Sequence, residues 1–128
     1  MAIRILLVED SPTILNMLSI VFRQKGFEVM TAADGVEALE LIDRGQLPEV
    51  VITDINMPRM DGMRLISALR EREEFKNVPI IVLSTEGAQR DQREGLARGA
   101  DLYLVKPVGP KVLVEAVNRL VEERSGKQ

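Results

Sequence analysis

The chain is 128 residues long, carries 17 Lys plus Arg against 20 Asp plus Glu for a formal charge of −3, and contains neither Cys nor His. That length implies one domain, and the two zeros exclude disulfide scaffolds, zinc fingers, thiol nucleophiles and Ser-His-Asp triads. Metal binding is left to oxygen ligands, which favour Mg²⁺, Ca²⁺ or Mn²⁺, and acid–base chemistry to a shifted carboxylate or lysine.

The first apolar run, Ile3 to Val8, predicts a strand and stops at Glu9-Asp10. It is too short for a signal peptide or a membrane span, so the expected location is cytoplasmic. Ser11-Pro12 then caps a helix whose apolar positions are Ile14, Leu15, Leu18, Val21 and Phe22, stopped at Gly26. Phe27 to Thr31 alternates, which suits a second strand at a sheet edge. Asp34 and Glu37 read as a capping box for a helix that ends near Gly45. Val50 to Thr53 is a third strand, and Met63, Leu65, Ile66 and Leu69 mark a third helix. Ile80 to Leu83 is a fourth strand. Arg90 to Arg98 is a fourth helix with only Leu96 and Ala97 as apolar content, which suggests a loosely packed element. Leu102 to Val105 is a fifth strand, and Pro110 opens a fifth helix with Val112, Leu113, Ala116, Val117 and Leu120 on its core face.

Strands alternating with helices, several of them continuously apolar, predict a doubly wound α/β fold around a parallel sheet. Aromatic residues are 3 %, so the core is aliphatic. The acidic balance argues against nucleic acid and anionic membrane as partners.

In such a fold a ligand site lies beyond the carboxyl ends of the strands. There the sequence places Glu9-Asp10, then Asp54 followed by Ile55-Asn56-Met57-Pro58, then Ser84-Thr85, then Lys106-Pro107. Taken singly, each has an ordinary reading. Asp10 can cap a helix, Asp54 can sit in a turn, Ser84 and Thr85 can bond local backbone, and Lys106 can be a solvated surface residue. Taken jointly, they converge on one sheet edge. Three clustered carboxylates need neutralising charge, which a hard divalent cation and Lys106 would supply, and the same charges would hold a phosphoryl group on one carboxylate.

In this order and spacing, Glu9-Asp10, Asp54, Met57-Pro58-x-Met60-Asp61-Gly62, Ser84, Tyr103 and Lys106-Pro107 resemble the receiver domain of bacterial two-component response regulators, stand-alone CheY-like type. The resemblance covers nearly the whole chain. It implies a five-stranded sheet in the order 2-1-3-4-5 with five helices, a receiver unit over residues 1–124 and a short polar tail over residues 125–128. It implies that Asp54 is the phosphoacceptor, assisted by Ser84 and Lys106. Mg²⁺ would be held by Asp10 directly, Glu9 through water, Asp54, and the backbone carbonyl of Asn56. Ser84 and Tyr103 would form the switch, with the Tyr103 ring turning inward as Ser84 moves. Asn56, Thr85 and Glu86 would tune autodephosphorylation, and the Lys106-Pro107 bond would be cis. Val108 stands where many relatives carry Phe.

The partners so implied are a sensor histidine kinase or phosphotransfer protein and a downstream protein that reads the face built by the fourth helix, fifth strand and fifth helix. Neither nucleic acid nor membrane is implied, and the role is a signalling phosphoacceptor rather than an enzyme. With no His in the chain, a phosphohistidine donor must be another molecule. A haloacid-dehalogenase-like phosphohydrolase also uses an aspartyl nucleophile, but it needs an acid two residues later, where this chain has Asn56. A flavodoxin-like flavin binder would need a Ser/Thr/Gly-rich phosphate loop in place of Glu9-Asp10. Met60 and Met63 are expected to pack at the start of the third helix, leaving one of the Met57, Met60 and Met63 trio exposed. Most of Arg90, Arg93, Arg98 and Lys111 are expected on a solvated face.

Overall fold

The computed structural model describes residues 2–125. In chain order the elements are β1 (Arg4–Val8), α1 (Pro12–Gln24), β2 (Glu28–Ala32), α2 (Gly35–Asp43), β3 (Val50–Thr53), α3 (Gly62–Arg70), β4 (Ile80–Ser84), α4 (Gln89–Arg98), β5 (Leu102–Val105) and α5 (Pro110–Ser125). A short 3₁₀ turn, Glu73–Phe75, precedes β4 and buries Phe75; it is too short to carry a periodic signal in the sequence. Helix α5 takes in Ser125, the first residue of the expected tail, and residues 126–128 lie outside the described residues.

All strand pairs are parallel, in the order β2-β1-β3-β4-β5, as expected. Successive side chains of a strand point to opposite faces, so each central strand feeds two cores. Ile5, Leu7, Val50, Ile52, Ile81 and Leu83 pack with Leu18 and Phe22 of α1 and with Leu113, Val114, Val117 and Leu120 of α5. Leu6, Val8, Val51, Ile80 and Val82 pack against Ala38 and Ile42 of α2 and against Met63, Leu65, Ile66 and Leu69 of α3. This is why β1, β3 and β4 read as unbroken apolar runs, while β2, half-buried on the sheet edge, alternates. At the α1–β2 turn, Gly26 takes φ 90°, and Phe22 meets Phe27 edge-to-face at 5.0 Å.

Helix α4 buries only one of its residues. Leu96 is 48 % exposed, and the helix docks through Gly95 instead. A Cβ at Gly95 would lie 3.1 Å from Cδ2 of Tyr103, so the missing side chain is what lets the helix close on the ring. The methionines correct one expectation. Met63 is buried and Met57 and Met60 pack against the α2–α3 core, so none of the three stands free on the surface.

Candidate functional site

Register brings the acids together. Val8 pairs with Thr53, so the residues that follow them, Glu9 and Asp54, leave the sheet side by side. The Asp54 N–H donates to the carbonyl of Val8 at 3.0 Å. This is the point where strand order reverses, between β1 and β3. Carboxylate oxygens of Glu9, Asp10 and Asp54 come within 4.8 Å of one another.

Lys106 reaches this cluster from the end of β5. Its N–H backbone donates to the Ser84 carbonyl at 2.8 Å, and the Lys106-Pro107 bond is cis, as expected. Its Nζ donates to Glu9 Oε1 at 2.9 Å and to Asp54 Oδ2 at 3.2 Å. Burial pulls the Lys106 ammonium downward, but the hydrogen bond to Glu9 and the Asp54 charge outweigh it, and its pKa rises above the ordinary 10.5. At Glu9 burial pulls the carboxyl upward from its ordinary 4.5, against Lys106 and the Ser11 amide, which pull it down. With Lys106 on one oxygen and the Ser11 N–H at 3.0 Å on the other, the geometry favours an ionised Glu9. Glu9 is thus the protein's own partner for Lys106.

Asp10 differs. It is exposed, and its carboxylate takes no ion pair or hydrogen bond among the described residues. Asp54 sits between these extremes, its side chain 13 % exposed, with Oδ1 accepting from the Ile55 N–H at 2.6 Å. One lysine against three carboxylates leaves a formal −2. The donors are all oxygen and include one unpartnered carboxylate at the open rim. That composition fits Mg²⁺, a hard cation that keeps several waters and takes one or two carboxylates.

The remaining site residues meet at Glu86. The Glu86 N–H donates to Ser84 Oγ at 3.2 Å, its carbonyl accepts from the Tyr103 hydroxyl at 2.6 Å, and its Oε1 accepts from Asn56 Nδ2 at 2.8 Å. One residue thus joins both expected switch residues and ties the two outer tuning positions to each other. Ser84 is fully buried, Tyr103 is 8 % exposed, and Asn56, Thr85 and Glu86 are exposed at the rim. The ring of Tyr103 lies inward in this structure already, and burial pushes its hydroxyl pKa above the ordinary value, so it remains a donor.

Several residues around the site do more than their place in the motif showed. Gly62 is obligatory because a Cβ there would collide with the Asp54 carbonyl oxygen; its N–H donates to Ile55 O at 2.8 Å and folds the loop after Asp54 back on itself. Asp61, another acid near the site, is occupied as the cap of α3, accepting from the Arg64 N–H at 2.9 Å. Asp34 caps α2 as expected but also receives Arg59, which occupied an unspecified place in the motif. Val108 packs into the α1–α5 core and, with Ile14, Met17, Leu18, Leu83 and Pro107, lines a groove of about 220 Å³ beside Lys106.

Among known proteins, a family profile described as the response regulator receiver domain matches residues 5–118. The chain is 39 % identical to chemotaxis protein CheY1 of Helicobacter pylori over 113 residues, 88 % of this chain and 91 % of that protein. It is 41 % identical to the transcriptional regulatory protein PrrA of Mycobacterium bovis over 121 residues, 94 % of this chain, and spans about half, 51 %, of that relative's length. It superposes with a TM-score of 0.87 and 30 % identity on the receiver domain of sensor histidine kinase PA1611 from Pseudomonas aeruginosa, solved with magnesium coordinated in its active-site cleft, covering 95 % of this chain and 99 % of that one.

Proposed function

The chain belongs to the response regulator receiver domain family, and from that premise we propose that Asp54 accepts a phosphoryl group from a phosphohistidine on a separate sensor kinase or phosphotransfer protein. The observation that carries this reading is the Glu9–Asp10–Asp54 cluster with Lys106 bonded into it. Receiver domains take Mg²⁺ at such an acidic pocket, and here Asp10, Glu9, Asp54 and the Asn56 carbonyl would hold it; when bound, the ion supplies positive charge to the phosphoryl oxygens.

An Asp54 carboxylate oxygen forms a bond to phosphorus as the phosphorus–nitrogen bond of the donor breaks, and the imidazole leaves with a proton from solvent. Lys106 and the Ile55 N–H hold the two Asp54 oxygens and orient the attack. The Ser84 hydroxyl then leaves the Glu86 amide to donate to a phosphoryl oxygen. Because Tyr103 is bonded to the carbonyl of the same Glu86, that movement alters how β5 and α4 are held together. Leu96, Val105 and Val112 are exposed at 48, 39 and 55 %, which gives the α4–β5–α5 face apolar area for a downstream protein. Asn56 and Glu86, bonded across the mouth, would control how water reaches the acyl phosphate and so its lifetime.

Incubation of the protein with Mg²⁺ and acetyl phosphate is expected to add one phosphoryl group by intact mass. Asp54→Asn, or Mg²⁺ chelation, abolishes the gain. An Asp54→Asn protein that still gains the group at the wild-type rate removes Asp54 from the role.

A further inference from the structure

The loop from Ile55 to Asp61 carries Asn56, and its outer turn is held by an ion pair that the phosphoryl chemistry does not use. Arg59 stands at φ 63°, in the left-handed region. Its Nε donates to Asp34 Oδ2 at 2.8 Å and its Nη2 to Asp34 Oδ1 at 3.2 Å. Asp34 is 4 % exposed and already accepts the Glu37 N–H. The next residue, Gly35, donates its N–H to the Met60 carbonyl at 3.2 Å. The same turn fastens the opposite wall of the site, since the Glu9 N–H donates to the Ala32 carbonyl at 3.0 Å. The turn between β2 and α2 therefore grips both walls of the acidic pocket; Met60 packs against its Gly35, and Arg59 is the only side chain of the Asp54 loop that hydrogen-bonds to it among the described residues.

We propose that Arg59 is a positioning residue: its forked pair with Asp34 fixes the loop after Asp54 so that Asp54 and Asn56 present their oxygens to a divalent cation. This rests on the reading of Glu9, Asp10 and Asp54 as a Mg²⁺ site. Two parallel N–H bonds to one carboxylate set orientation as well as distance, which a single-point ammonium contact does not. Arg lacks the short amide that lets Asn sit in left-handed backbone, so its conformation is imposed by what it binds.

The test is calorimetric titration of the full chain with MgCl₂. Arg59→Asn tolerates the backbone but cannot reach Asp34, and Asp34→Asn keeps the helix cap but loses the charge. Each is expected to weaken Mg²⁺ binding about tenfold, as the outer partners of metal ligands do. The double variant is expected to be no weaker than either single one, and Arg59→Lys to recover part of the loss. Thermal unfolding in EDTA, run in parallel, reports any structural contribution separately. Single variants that bind within about twofold of wild type, or losses that add in the double variant, overturn the proposal. Wild-type protein that binds no Mg²⁺ overturns instead the cation site itself.

Discussion

At the scale of single residues, the site is defined by unequal treatment of three acids. Glu9 is buried and paired with Lys106, Asp54 is shared between Lys106 and the Ile55 N–H, and Asp10 stands exposed. Removing one charge relieves repulsion. Asp10→Asn is therefore expected to raise the unfolding midpoint in EDTA and to abolish the further rise that Mg²⁺ gives wild type, both readable by thermal denaturation. Asp34 gives a pH prediction. Its hydrogen bond to Arg59, with the Glu37 amide assisting, holds its carboxyl below the ordinary 3.8. The unfolded chain then takes up the proton first as pH falls, so the stability due to the pair is complete above about pH 4 and lost below it. Urea unfolding of wild type and Asp34→Asn should show a constant difference from neutral pH down to that point and a shrinking one beyond. The residues that end strands were legible because their position in the fold is fixed by apolar runs. Arg59 was not: nothing in its neighbours shows that its backbone turns left-handed toward an acid 25 residues earlier.

At the scale of elements, α4 is the one whose packing departs from the apolar pattern. Its apolar Leu96 is exposed and the contact is made by Gly95, because a helix can approach an aromatic ring closely only where it has no side chain. Sequence periodicity scores glycine as a weakness and cannot see the ring it accommodates. Gly95→Val is expected to push α4 and Tyr103 apart and to cost about 1–3 kcal/mol in urea unfolding. Tyr103 is the only Tyr and there is no Trp, so tyrosine emission reports this residue alone. Acrylamide should quench it more strongly in the variant; equal quenching would show that the Gly95 contact does not hold the ring in. Two other helices were legible to their caps: Ser11 and Asp34 each accept the amide three residues on.

At the scale of the molecule, the two ends of the sheet do different work. The carboxyl ends gather the acids, Lys106 and Glu86, while at the opposite end Arg70 and Arg124 both pair with Asp101, which also accepts the Ile80 N–H at 2.8 Å. That second cluster ties α3 and α5 to the start of β4, and it was invisible in the sequence because its members are separated by whole elements. The alternation of strands and helices, by contrast, made the fold class and the site edge readable in the sequence. The central claim is that this edge makes Asp54 the Mg²⁺-dependent phosphoacceptor. It is tested most directly by trapping the protein after treatment with acetyl phosphate, reducing the acyl phosphate with borohydride and mapping the peptides. Homoserine at position 54, formed with Mg²⁺ and absent with EDTA, is the predicted result. Homoserine at position 10 or 61, or at 54 to the same extent without the metal, would contradict it.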